Sequence, residues 1–216
     1  MKRLCYLLDF DGTVRDDLVP VYLTVKDVFR AFGRNPPSFS DYRSMISSDY
    51  WAFYLKNGFN ENERADVDRL FDSVFFSEYW KNAKLFPDAL PTINGLRRRG
   101  RLVGIVSNLK AATLEQHLAE YGLKNSIDVV VAREDTQNTK PDPDPVIYGF
   151  GRLGVKTSEG SYTGDEVSDI CAAHSAGTFA ISVARKGSHH TRRMLKSAKP
   201  DKIIGSLSEL LEFDLE

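Results

Sequence analysis

Residues Leu4 to Thr13 read LCYLLDFDGT, an apolar run that stops at two carboxylates, Asp9 and Asp11, and turns at once through a glycine. The run has the character of a buried strand. Alternate residues of a strand share a face, so Asp9 and Asp11 would project together from its carboxyl end. In an open parallel sheet, ligands sit beyond those ends. Two acids side by side resist joint ionisation unless a cation lies between them or one keeps a proton. Such a pair suits metal-assisted nucleophilic catalysis by a carboxylate. A capping Asp after a buried strand explains one of them, and explains the pair poorly.

Beyond Thr13 the pattern changes. From about Asp17 to Asn82 the periodicity is helical, and no convincing strand occurs. Leu18, Tyr22, Val25, Val28, Phe29 and Phe32 form one stripe that Gly33 and Pro36 end. Ser40 or Asp41 is placed to cap the next helix. Asn60 with Glu63 has the spacing of a capping box before Val67, Leu70, Phe71, Val74 and Phe75. From Phe86 onward strands and helices alternate. The strands are RLVGIVSN, IDVVVA, SYTGD and TFAISVA; the helices fall near 88–99, 111–121 and 143–153, then through Ala176 and after Ser206. Alternation of this kind predicts βαβ units. The fold expected is α/β: a doubly wound, Rossmann-like parallel sheet built from 1–16 and 83–216, with an all-helical cap inserted at 17–82. A cap inserted there would stand over Asp9 and Asp11.

The chain has 216 residues, 42% of them hydrophobic, enough for one full core and a smaller appendage that together bury roughly 70% of the extended surface. With 29 basic and 30 acidic residues, the net charge of −1 gives no global field for nucleic acid or an anionic membrane. An anionic substrate needs a local site. Cys5 and Cys171 each lie in an apolar segment and are expected as buried thiols, which points to a reducing, cytoplasmic setting. The apolar stretch after MKR is too short for a signal peptide, and no run reaches membrane-spanning length. A monomer or homodimer is expected.

Three further polar clusters stand where strands end. Ser107 and Asn108 can offer a hydroxyl and a helix N-terminal amide to an anion, although both are also common caps. Lys140, in TKPDP, is the lysine placed to reach the site. Asp165 and Asp169 would be stacked by a following helix, and their like charges make sense beside a cation. The basic group from Arg185 to Arg193 with Lys196 and Lys199 reads as a solvated helix face, since no aromatic residues interleave it.

These clusters, DFDGT, SN, the lysine of TKPDP, and GDEVSDI followed by AAHSAG, resemble the haloacid dehalogenase-like hydrolase superfamily. They stand in the family's order and span the whole core. The resemblance implies that Asp9 is a nucleophile forming an aspartyl-phosphate and that Asp11 is the general acid and base. It implies that Ser107 and Lys140, with Asn108 beside them, hold the transferring phosphoryl group. Asp9, Asp11 and Asp165 are the implied ligands of Mg²⁺, with Asp169 in support. The chain departs from the family pattern at two places: the stretch Val14, Arg15 and Asp16 after DGT, and Glu166 where Ser or Thr is frequent. The presence of both Asp9 and Asp11 speaks against the dehalogenase and phosphonate-cleaving branches.

The cap resembles the small helical type of phosphoglycolate phosphatases, pyrophosphatases and β-phosphoglucomutases. All four histidines lie outside the insert, with His117 and His174 read as solvated or core residues, so a hydrolase is favoured over a mutase. Within the cap, RSMISSDYW looks like a turn reaching the substrate through Arg43, Ser47 and Ser48. Equally, Tyr50 and Trp51 could begin a core-packed helix with Arg43 on the surface. The expected activity is a Mg²⁺-dependent phosphatase acting on a small phosphorylated metabolite. A phosphoacceptor signalling module also uses clustered acids, but Asp11 and a cap favour turnover.

Overall fold

In β1 (Cys5–Leu8) every side chain is buried, and the strand divides its residues between two cores. Tyr6 and Leu8 pack on one side of the sheet, Cys5 and Leu7 on the other, as a period of two requires. Only a central strand covered on both faces can bury four consecutive residues in this way. The computed structural model describes residues 4–46 and 49–213.

The remaining strands are β2 (Arg15–Asp16), β3 (Lys84–Leu85), β4 (Leu102–Val106), β5 (Val129–Val131), β6 (Gly160–Gly164), β7 (Phe179–Val183) and β8 (Lys202–Ile204). Six of them form a parallel sheet in the order β5-β4-β1-β6-β7-β8. The chain builds outward from β1 through β4 and β5, then returns to the opposite side of β1 at β6. That reversal puts a topological switch point at the carboxyl end of β1, where doubly wound sheets bind ligands.

The helices are α1 (Leu18–Ala31), α2 (Phe39–Met45), α3 (Tyr50–Lys56), α4 (Arg64–Val74), α5 (Ala89–Arg98), α6 (Ala111–Glu120), α7 (Asp144–Arg152), α8 (Val167–Ser175), α9 (Arg192–Ser197) and α10 (Glu209–Phe213). Helices α5, α6 and α10 cover one face of the large sheet with Ile93, Leu96, Leu114, Leu118 and Leu210. On the other face α7, α8 and α9 contribute Val146, Phe150, Ile170 and Leu195. Leu7 lies against Gly104 and Gly149, which leave room for it; its truncation to Ala would cost about 2–5 kcal/mol.

Helices α1 to α4 share a separate core rich in aromatic residues, among them Phe29, Tyr42, Trp51, Phe53, Tyr54 and Phe59. The capping box of Asn60 and Glu63 forms as expected and starts the turn that leads into α4. The cap of α2 is Ser38, two residues before the expected position. Its hydroxyl accepts from Asp41 N at 3.1 Å, and Asp41 is thus the third helical residue rather than the cap. A π-helical turn, Phe75–Tyr79, continues α4. Two short strands absent from the sequence reading, β2 and β3, pair antiparallel where the helical excursion leaves and re-enters the core. Cys171 is exposed on α8, against expectation, because the buried stripe of that helix runs through Ile170, Ala172 and Ala173. Among the described residues no helix is long and apolar enough to cross a membrane.

Candidate active site

The polar residues read from the sequence converge at the carboxyl edge of the large sheet. Asp9 follows β1, Ser107 and Asn108 follow β4, Lys140 lies in the loop between β5 and α7, and Asp165 follows β6. Asp9, Asp11, Ser107, Asn108 and Lys140 line one cavity of about 380 Å³.

Lys140 is the hub. Its buried ammonium donates to Asp9 Oδ1 at 2.5 Å, Asp169 Oδ1 at 2.7 Å and the Tyr162 hydroxyl at 2.8 Å, with the Val106 carbonyl at 3.3 Å. Burial alone would lower its pKa, but Asp169 and Asp9 hold it well above the usual lysine value. Asn108 fixes the same lysine from behind. Its Nδ2 donates to Lys140 O and its Oδ1 accepts from Lys140 N, both at 3.1 Å. The Asn108 side chain is thus engaged in placing Lys140 and not turned to an anion. Ser107, 4% exposed, accepts Leu109 N at 3.1 Å and keeps its hydroxyl proton to donate within the cavity.

Asp169 sits in the first turn of α8 and also accepts Glu166 N at 2.9 Å. Asp165 accepts the Thr13 hydroxyl at 3.1 Å and His189 N at 2.5 Å. Gly12 makes this approach possible: its φ of +70° suits glycine, and a Cβ there would overlap the Asp165 carboxylate. One oxygen from each of Asp9, Asp165 and Asp169 lies within 4.8 Å of the others. Burial pushes Asp165 up to about 8 against the pull of His189, and pushes Asp9 well above the usual carboxylate range against the pull of Lys140. An all-oxygen set of buried acids that favours added positive charge fits a hard divalent cation.

Asp11 was expected among the metal ligands, and its side chain is outside this cluster. Arg15, four residues on, captures it: Nε and Nη2 approach Asp11 Oδ1 at 2.8 and 2.6 Å. Arg15 is 1% exposed, lies over Phe10 and Phe75, and donates through Nη1 to His117 Nε2 at 2.7 Å. A guanidinium can only donate, so Nε2 is the imidazole's acceptor and the neutral ring carries its proton on Nδ1. Burial, then the Arg15 charge, lowers His117 to about 4. Asp17 completes the group by accepting Gly12 N at 3.1 Å and pairing with His189 Nε2 at 2.9 Å. Against burial, Asp17 and Asp165 keep His189 well above the usual histidine range.

Sequence reading missed Arg15, Asp17, Tyr162, His117 and His189. Two of these left a signal: the four-residue spacing of Asp11 and Arg15, and the place of His117 on the apolar stripe of α6 with Leu114 and Leu118. His189 left none, because it meets Asp17 across 172 positions.

The expected cap residues are placed differently. Arg43 lies in α2 and donates from Nη2 to Ser188 O at 3.0 Å, away from the Asp9 cavity. Ser47 and Ser48 lie outside the described residues. Trp51, 3% exposed, packs into the cap core, in line with the helix alternative. The cap instead presents Val21, Phe71, Asp72, Phe75 and Phe76 to the cavity. Nor is Arg185 a solvated residue: it is part-buried, pairs with Asp88 at 2.7 Å and donates to Thr13 O.

The chain is 27% identical to Pyrophosphatase PpaX of Bacillus cereus (strain AH820) over 216 residues, covering 98% of this chain and 96% of that protein. It is 29% identical to the phosphoglycolate phosphatase of Escherichia coli (strain K12) over 143 residues, 66% of this chain and 56% of that protein. Its fold matches a haloacid dehalogenase-like family hydrolase from Streptococcus pneumoniae with a TM-score of 0.84, covering 98% of each chain at 15% identity, which speaks for the fold alone. The model of the haloacid dehalogenase-like hydrolases matches residues 6–183, from β1 to the end of β7 and through every cluster described above. On that match, well over half its length, the chain belongs to the haloacid dehalogenase-like hydrolase family.

Proposed function

We propose that this hydrolase is a Mg²⁺-dependent phosphatase of small phosphate monoesters, with 1–16 and 83–216 as its core and 17–82 as its cap. The observation that carries this reading is the Lys140 ammonium at 2.5 Å from Asp9 Oδ1, at the floor of a cavity large enough for a small ester. Asp9 attacks phosphorus in line, forming an Asp9–O–P bond as the P–O bond to the leaving alcohol breaks. Asp11 delivers a proton to that leaving oxygen, after turning from Arg15. It then takes a proton from the water that attacks phosphorus and releases Asp9. Such acid and base assistance is worth about 10² to 10⁴ in rate. Ser107 and Lys140 hold the phosphoryl oxygens. Asp9 and Asp165 would hold Mg²⁺, while Asp169 keeps Lys140 charged and in place. When bound, Mg²⁺ supplies charge neutralisation that lets an anionic ester approach a carboxylate.

A second reading, inorganic pyrophosphate as substrate, is favoured by the full-length match to a pyrophosphatase. A panel of phosphate esters and pyrophosphate, assayed with Mg²⁺ and with EDTA, separates the two. Asp9→Asn should abolish turnover, since an amide cannot form the acyl-phosphate. Full activity in EDTA, or retention of a tenth of the rate by Asp9→Asn, would falsify the mechanism.

A further inference from the structure

Asp165, one of the two residues that would hold Mg²⁺, is gripped from two separate segments. Its Oδ2 accepts His189 N at 2.5 Å, from the loop between β7 and α9. From the turn after β1, the Thr13 hydroxyl donates to its Oδ1 at 3.1 Å and Gly12 packs against the carboxylate. One further oxygen ties those two segments to each other. Asp17 Oδ1 accepts Gly12 N at 3.1 Å and pairs with His189 Nε2 at 2.9 Å.

Asp17 is 2% exposed and directly precedes α1, the first helix of the cap. An Asp in that place ordinarily caps its own helix. This one accepts no amide of the first turn, and its carboxylate goes to Gly12 and His189 instead. Buried charges persist only when paired, so the contact between Asp17 and His189 constrains both segments. Among the described residues, neither joins the three acids whose oxygens cluster within 4.8 Å, so neither is placed as a metal ligand itself.

We propose that Asp17 and His189 are positioning residues for Asp165: by locking the 185–190 loop onto the turn after β1, they hold the Asp165 carboxylate ready for a divalent cation. The proposal rests on the reading of Asp165 as a Mg²⁺ ligand. It makes cation affinity depend on the first residue of the cap. Partners that orient a metal ligand in this way typically contribute about 10- to 100-fold to affinity. Charge alone predicts the opposite for the imidazole. A cationic ring beside the acids repels Mg²⁺, so losing it would tighten binding, whereas losing a positioning contact weakens it.

Pairs of variants that lose the same charge test this, by calorimetric titration of the full chain with Mg²⁺. Gln carries its amide nitrogen where imidazole has Nε2, and Asn carries its own where imidazole has Nδ1. His189→Gln should therefore keep the bond to Asp17 and bind Mg²⁺ within about threefold of wild type, while His189→Asn binds about tenfold more weakly. Asp17→Asn likewise retains an oxygen for both donors, and Asp17→Ala should bind about tenfold more weakly than Asp17→Asn. Thermal melts in EDTA establish that each variant is folded; if one pair is not, the other decides. Leu210→Ala, a core truncation on α10, should lower the melting temperature and leave Mg²⁺ affinity unchanged. Equal affinities within each pair, or tighter binding by His189→Asn than by wild type, overturn the proposal and leave Asp165 as a ligand. A wild type that binds no Mg²⁺ removes the metal reading, and the proposal with it.

Discussion

Arg15 holds Asp11 by two nitrogens on one oxygen, Nε at 2.8 Å and Nη2 at 2.6 Å, and the same guanidinium reaches His117. Burial raises the Asp11 carboxyl to about 6 in spite of that contact. The carboxyl that follows Asp9 by two residues is therefore parked on a buried cation contributed by the same turn.

Removing that cation leaves the Asp11 carboxylate without its partner, while Asp17 keeps His189. Arg15→Met should cost about 3–5 kcal/mol of folding stability. In an Asp11→Asn background the same change should cost at least about 1 kcal/mol less, since the two residues are coupled. Urea denaturation of the four proteins measures the difference. Identical costs in both backgrounds would show that Arg15 only fills space.

Lys140 and Asn108 should separate chemistry from positioning. Lys140→Met removes the charge beside Asp9 and should lower kcat by about 10³. Asn108→Ala removes only the two bonds that seat the lysine backbone and should cost about tenfold. Asn108→Asp still accepts from Lys140 N but cannot donate to Lys140 O, so its rate should fall between wild type and Asn108→Ala. Steady-state kinetics on one ester checks this order, and an Asn108→Asp enzyme no better than Asn108→Ala would refute it.

His117 makes stability depend on pH. Its folded pKa is lowered to about 4 from the ordinary histidine value of 6.5, by burial and then by Arg15, with Glu120 and Asp17 opposing. Between those two values the unfolded chain binds a proton that the folded protein refuses, so stability rises with pH across this window. The contribution is intact above pH 6.5 and falls away towards pH 4, by on the order of 3 kcal/mol. His117→Gln can still accept from Arg15 and does not titrate. Its melting temperature should vary less between pH 4 and 6.5 than that of the wild type; parallel profiles would exclude His117 as the source.

Arg43 links α2 to Ser188, the residue before His189, whose amide binds Asp165. Loss of that link should disturb the site as a whole and not its choice of substrate. Arg43→Ala is expected to lower kcat/KM about three- to tenfold on every ester, with their ranking preserved. A changed ranking in the ester panel would return Arg43 to the specificity role that its sequence position suggested.

Much of this protein was written locally. The alternation in LCYLLDFDGT, the capping box at Asn60 and Glu63, and the succession of strands and helices depend on contacts within a few residues. Side-chain periodicity and capping therefore report them directly. For the same reason Asp9, Ser107, Lys140 and Asp165 were legible, because each sits where a strand or its loop ends. What the chain does with them was not local. Lys140 reaches Asp9 across 131 positions, His117 reaches Arg15 across 102, and Tyr162 is brought under Lys140 by the pairing of β6 with β1. Strand order and the packing of the cap on the core decide those meetings. They placed Asn108 behind Lys140 and turned Arg43 away from the Asp9 cavity. A linear pattern states which face a residue occupies; only the tertiary structure brings faces from distant segments together and settles which charges must share one buried space.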